Sequence, residues 1–269
     1  LISDKTIVGI GTNLIIDGNT RVIEVNGLPI TPGLISPMSN LGIVEINALD
    51  VTKDDESDLL SAGFSIFNAF NPHSTLIPWN RSNGVTSAIS TPSGSSFPIF
   101  GLGSHFVLDG SLEIKGSKDI AMFGRLGASY GSRAESLAIL ESLLEIGRML
   151  NSLAVEEILE MSLSDQLELQ SQDVIALGKV VNDGMPFVLE TNRAVDILQA
   201  LAMKKKFDLN LVLVSVEEAP MVLDKLKESN TPVIIDPMDN IPNSFDELGS
   251  SLSLGKILDQ AGIPIMFST

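Results

Sequence analysis

From residue 171 onward the chain alternates helical and apolar extended segments so regularly that few folds can accommodate it. "SQDVIALGKVVNDG" has helical spacing and leads into "MPFVLET", and "NRAVDILQALAMKKK" leads into "LNLVLVS". In the same way "VEEAPMVLDKLKES" precedes "TPVIIDP", and "SLGKILDQAG" precedes "IPIMFST". Four extended runs, each entered from a helix, predict right-handed βαβ units in a parallel sheet. Strands this uniformly apolar bury both faces, which fits a closed (β/α)8 barrel or an open doubly wound sheet. No G-x-G-x-x-G turn opens any of these helices; "GIGTNL" comes nearest, but it sits among short extended runs and leads into no helix. Counting "LPITPGLI", "GVTSAIS" and two less distinct strands between residues 97 and 127 gives about eight, the number a TIM-type barrel needs.

The remaining texture places other elements around that repeat. "KTIVGIG", "NLIIDG" and "RVIEVNG" are β-branched runs punctuated by glycine, which predicts a β-meander over residues 1–30 and a barrel over 31–269. "DDESDLLSAGFSIFNAF" has helical spacing with an acidic first turn. "GSRAESLAILESLLEIGRMLNS" is the clearest helix, with Ser132 and Glu135 at capping-box spacing and Leu137, Leu140, Leu144 and Met149 on one face.

Charge and composition exclude several classes of function. A net charge of −17 with a pI near 4.4 leaves nothing to offset phosphate repulsion, so neither nucleic acid nor an anionic membrane surface is a partner. A small molecule is the expected ligand, and a homo-oligomer is compatible with the sequence. The absence of cysteine excludes disulfides, thiol nucleophiles and Cys-ligated metal, and leaves cytoplasm and periplasm equally open. Apolar runs fall short of the roughly 20 residues that a spanning helix requires. Because the chain starts at Leu1, a preceding segment is expected to have been removed or left out.

In a barrel the chemistry collects on the loops after the strands, here 36–40, 91–96, 190–193, 215–218, 236–240 and 268–269. Glu190 ends "PFVLE" and Asp236 ends "PVIID"; both are candidates to divide acid and base roles at the mouth. Asp239 reads as a cap of the turn "DPMDNIP", and Asp236 could equally be one. Arg81 and Arg193 are candidates for an anionic substrate group, with Arg193 also placed to offset Glu190. The only two histidines, His73 and His105, lie at no predicted strand end and read as ordinary loop or partly buried residues. After "TPGLI" come Ser36, Pro37, Met38, Ser39 and Asn40, none of them a good ligand for a divalent cation.

The order of "ITPGLISPMSNLGIVEINA", "FNAFNPHSTLIPWNRSNGVTSAISTPSG" and "TPVIIDPMDNIPNSFDELG" resembles the imidazolonepropionase-related branch of the amidohydrolase superfamily over essentially the whole chain. That resemblance implies a distorted (β/α)8 barrel with a small β-sandwich built from both chain ends. It implies hydrolysis of C–N bonds in cyclic amides by water activated on zinc or another divalent metal. The same resemblance puts the family's Asp-x-His-x-His at Ser36, Met38 and Asn40, a second ligand strand at Glu190 and Asn192, a third slot near Ser215, and the last aspartate just after Thr269. With those ligands replaced, no metal cofactor is expected, Asn192 becomes a substrate-binding candidate, and the chain is expected to stop before its closing helix. Two readings follow: a C–N hydrolase working without the usual metal, or a non-catalytic barrel that binds a small molecule or a protein partner.

Overall fold

A computed structural model describes residues 1–4, 6–94, 97–127 and 131–268, which divide into two compact units, 1–32 and 33–269. In the first unit, β1 (Ile2–Ser3) pairs antiparallel with β2 (Thr6–Ile7), and no other strand is present among its described residues. The predicted runs "NLIIDG" and "RVIEVNG" are therefore not strands. Ile10, Ile15, Ile23 and Ile30 are all exposed, and without a second apolar layer to bury against such runs gain little from pairing.

The second unit is built on one eight-stranded sheet. In order around the sheet these are β3 (Leu34–Ser39), β4 (Val85–Ser90), β5 (Ile99–Val107), β6 (Gly116–Arg125), β7 (Phe187–Thr191), β8 (Leu211–Ser215), β9 (Val233–Ile235) and β10 (Ile265–Phe267). Neighbours are parallel except at β5, which is antiparallel to both β4 and β6. The seam between β10 and β3 has no backbone ladder among the described residues, but Ser268 Oγ donates to the Met38 carbonyl across it at 2.9 Å. The result is a nearly closed barrel.

Helix α1 (Leu76–Ser82) leads into β4, and α2 (Arg133–Met149), α3 (Val155–Leu159), α4 (Ser162–Gln166) and α5 (Ser171–Asn182) all fall between β6 and β7. After that the predicted alternation holds: α6 (Ala194–Phe207) enters β8, α7 (Leu223–Glu228) enters β9 and α8 (Leu254–Ala261) enters β10. Ser132 caps α2 as its spacing implies, accepting the Glu135 N–H at 3.1 Å. No described helix is long and apolar enough to cross a membrane.

Two departures from the eightfold βα repeat have local causes. The strands between residues 97 and 127 form a hairpin rather than two βα units. Its turn carries Asp109-Gly110, with Gly110 at φ +80°, and Gly116 opens β6 where a Cβ would lie 1.8 Å from the His105 carbonyl oxygen. The segment predicted as a helix over 54–70 instead contains only a 3-10 turn at Phe67–Ala69. Part of the reason is a distant carboxylate: buried Asp173 accepts the N–H groups of Ser61 and Gly63 at 3.0 and 2.8 Å, donors that a helix would have used itself.

Strand alternation decides which side chains face the barrel interior. On β7, Phe187 and Leu189 join the outer core with Leu140, Leu177 and Ile197 from the helices. Val188 points the other way, into a second cluster with Ala121, Phe123, Val214 and Ile234, against which Met38, Ile89 and Phe100 pack. The period of two then carries Glu190 inward at the end of β7 and Arg125 inward at the end of β6. The apolar interior cluster lies below Arg125 and Glu190, which stand nearer the C-terminal ends of their strands.

Candidate functional site

Arg125 and Glu190 are register partners on β6 and β7, and the guanidinium Nη2 donates to Glu190 Oε2 at 2.8 Å. Both side chains are only partly exposed, and the guanidinium carbon lies 5.6 Å from the centre of the Phe100 ring. Partial burial and the Phe100 ring strengthen this pair relative to one in bulk water. The cation that meets Glu190 is thus Arg125, not Arg193 as its sequence position suggested. Arg193 stands at the N-cap of α6, and its field acts on Asp196 instead.

One strand further on, the backbone itself is unusual. β8 ends with Ser215 at φ 72° and Val216 at φ 56°, two successive non-glycine residues in the left-handed region, the second β-branched and fully buried. Such a conformation persists only where surroundings over-determine it. Here Val216 N–H donates to the Thr191 carbonyl at 3.1 Å and Glu218 N–H to the Asn192 carbonyl at 2.9 Å. The Glu218 carboxylate also accepts the Ala194 N–H at the start of α6, at 2.8 Å. The loops after β7 and β8 are therefore stitched together, and the residue held between those bonds is Glu217.

Glu217 is 7% exposed, and its Oε2 has no hydrogen-bond partner. Burial pushes its carboxyl up to about 7, against a bond from its own backbone N–H, and the like charges of Glu247, Asp239 and Glu190 push further in the same direction. Gly249 closes over it from the segment after β9: a Cβ there would lie 2.9 Å from the Glu217 carbonyl oxygen. That segment is anchored by Arg133, which pairs with Asp196 at 3.2 Å and with Asp246. Desolvation raises the Asp196 carboxyl above its ordinary range, opposed by Arg133.

The opposite side of the mouth is a cleft of about 470 Å³ over β3, β4 and β10, bordered by Met38, Asn40, Asp55, Thr91, Ser93 and Ser268. Ser93 Oγ lies 2.8 Å from Asp55 Oδ2 and 3.0 Å from Glu56 Oε1, while the other Asp55 oxygen, Oδ1, is buried without a partner.

The residues present do not fit a divalent metal. Met38 offers a thioether that packs against the apolar interior cluster, Asn40 offers an amide, and the one carboxylate among the slots, Glu190, already has a guanidinium partner. Among the described residues, no group of three or more His, Cys, Asp or Glu is arranged to hold a metal ion.

The other candidates are dispersed. Asp236 is exposed, and its Oδ1 accepts the Met238 N–H at 2.8 Å, an Asx turn that opens the segment over Glu217. Asp239 is half-buried and acts on Glu217 through its charge. Asn192 is buried beside Glu218, its side-chain oxygen without a partner. Arg81 lies at the other end of the barrel, where its Nη1 donates to the Leu108 carbonyl at 3.2 Å just beyond the C-terminus of antiparallel β5. His73 is exposed in the turn before α1, and His105 sits within β5 opposite Ile89. Arg125 and Glu217 were not singled out by sequence. The signal for Glu217 was the acidic pair of "SVEEA" directly after an apolar strand; Arg125 had none beyond its place at the end of an indistinct strand.

No protein-family model matches the chain, and no curated protein matches it. A solved structure, an amidohydrolase from Thermotoga maritima MSB8, does so with a TM-score of 0.84 at 20% sequence identity, covering 100% of this chain and 73% of that one. The chain thus has the fold of that amidohydrolase.

Proposed function

We propose that this barrel is an amidohydrolase-like enzyme of the imidazolonepropionase type, opening a C–N bond of a cyclic amide at its mouth without a catalytic metal. The observation that carries the reading is the Arg125–Glu190 pair, aimed inward at the C-terminal rim of an amidohydrolase-type barrel. Active sites of such barrels form at that rim.

In this reading the ring lies across the mouth over Met38. Glu190 accepts a proton from the attacking water, and Arg125 stabilises negative charge developing on the carbonyl oxygen. Asn192 supplies a side-chain acceptor for a ring N–H, Arg193 guides an anionic substituent, and Asp236 orders the segment that covers the site. Arg81, at the far end, takes no part.

The test is steady-state ring opening of hydantoin and dihydrouracil by the parent and by Glu190→Gln. The parent is expected to turn over at least one ring, and the isosteric variant to lose about a hundredfold or more in kcat. Equal rates in both proteins would remove Glu190 from the chemistry. Turnover of neither ring by the parent counts against the hydrolytic reading itself.

A further inference from the structure

We infer that the cleft over β3, β4 and β10 binds a small organic cation rich in N–H donors, a guanidinium or primary ammonium group, with Asp55 and Glu56 as its acceptors. The site goes beyond the hydrolytic reading and stands whether or not the mouth opens a ring. Asp55 borders the cleft, is 7% exposed and keeps Oδ1 buried without a hydrogen-bond partner. Its other oxygen, Oδ2, lies 2.8 Å from Ser93 Oγ, which itself lies 3.0 Å from Oε1 of exposed Glu56. Ser93 and Glu56 border the same cleft, so the two carboxyl heads meet on one stretch of its wall.

The donor count decides what fits there. A serine hydroxyl has one proton to give, and two carboxyl oxygens compete for it while a third has no donor. A buried acceptor left unpaired is costly, and a ligand that brings donors removes that cost. Lys53 also borders the cleft, but its Nζ pairs with Asp50 at 3.1 Å rather than with Asp55 or Glu56. The wall thus has an excess of negative charge as well as a shortage of donors. Charge-assisted hydrogen bonds are about twice as strong as neutral ones, which favours a cation over a neutral amide. Among the described residues no third His, Cys, Asp or Glu joins the pair to hold a metal ion, which favours an organic cation over a metal.

The wall is positioned in advance. Ser93 N–H donates to the Asp55 carbonyl at 2.8 Å, and Asp54 N–H to the Ile43 carbonyl at 2.9 Å, so the carboxyls need little ordering on binding. Rotation about the last side-chain bond of Asp55, a broad and roughly two-fold torsion, presents either oxygen to the cleft. A volume of about 470 Å³ suits a small molecule, and the net charge of −17 draws cations toward the surface.

Amide NMR of full-length protein, titrated separately with methylguanidinium, methylammonium, tetramethylammonium, methylurea and calcium, tests the site. At least one of methylguanidinium and methylammonium is expected to shift the Asp55, Glu56 and Ser93 amides saturably, and the tighter of the two identifies the head group. Tetramethylammonium carries charge without N–H donors and methylurea donors without charge; both should bind at least about tenfold more weakly. Isosteric Asp55→Asn should weaken the cation about tenfold, and Glu56→Gln about fivefold. Glu56 is exposed, so its variant decides the matter should Asp55→Asn not fold. Equal binding of tetramethylammonium, tighter binding of methylurea, saturation by calcium alone, shifts spread over the acidic surface, or an affinity unchanged by Glu56→Gln each overturns the inference. None of these readouts depends on ring opening, so failure here and failure of the hydrolytic reading are separate results.

Discussion

The two sides of this barrel are held together by different means. From β6 to β10 the strands are parallel, each of β7 to β10 is entered from a helix, and a single large core joins sheet to helices. From β3 to β5 the sheet contains a reversed strand, the segment over 40–75 has no α-helix, and a separate small core centres on Phe106 stacked 3.8 Å from Phe70. The difference teaches where rigidity is available. The Arg125–Glu190 pair and the buried Glu217 both stand on the regular side, whose packed strands can hold a strained turn and a buried carboxyl in place. The irregular side contributes an open cleft of hydroxyl and amide groups.

The largest predicted contrast is between a first-half residue of β7 and one of β3, because the two strands are buried to such different extents. Phe187→Ala empties a fully buried site on β7 and is expected to cost about 3–5 kcal/mol, whereas Ile35→Ala on β3, 62% exposed, should cost well under about 1 kcal/mol. Urea unfolding monitored by circular dichroism measures both, and similar losses would show that β3 is packed as tightly as β7.

Next in size is the pH dependence of Glu217. A carboxyl raised from 4.5 to about 7 binds more protons folded than unfolded, so it weakens the fold progressively as pH rises between those two values. Replacing it by neutral Glu217→Gln should therefore stabilise the protein at pH 8 by roughly 2–3 kcal/mol and change little below pH 4. A stability difference that is flat across this range would show that Glu217 titrates like a surface residue.

Two smaller effects sharpen the picture of the strained rim. Gly249→Ala must push a Cβ against the Glu217 backbone, and a loss of about 1–2 kcal/mol is expected in thermal unfolding. Ser215→Gly relieves one left-handed residue and should stabilise by up to about 1 kcal/mol, a gain detectable in the same experiment. A loss on Ser215→Gly would mean the serine side chain contributes more than its backbone costs.

Sequence made the regular side legible because period and burial coincide there. Runs such as "PFVLE" and "NLVLVS" announce buried parallel strands, and their ends announce the mouth. Glu190 was accordingly visible. Its partner was not, because Arg125 closes a hairpin strand whose antiparallel neighbour broke the expected βα count. Glu217 lay inside a strand-end loop already marked for inspection, yet nothing local distinguishes it from Glu218. What separates them is tertiary: Glu218 caps α6 by accepting the Ala194 N–H, while Glu217 is buried with one oxygen unpartnered, after the left-handed backbone at 215–216. The helix expected over 54–70 failed for a similar reason, since Asp173, more than a hundred residues away, takes two of its backbone donors.

The central claim is that the mouth works through its own carboxyls, and metal removal tests it most directly. Protein dialysed against a strong chelator, with metal content verified by elemental analysis, is assayed for hydantoin and dihydrouracil ring opening beside an undialysed sample. With Met38 and Asn40 at the rim and Glu190 committed to Arg125, the rate is predicted to be the same in both samples. Loss of turnover on dialysis, restored by stoichiometric zinc, would contradict the account.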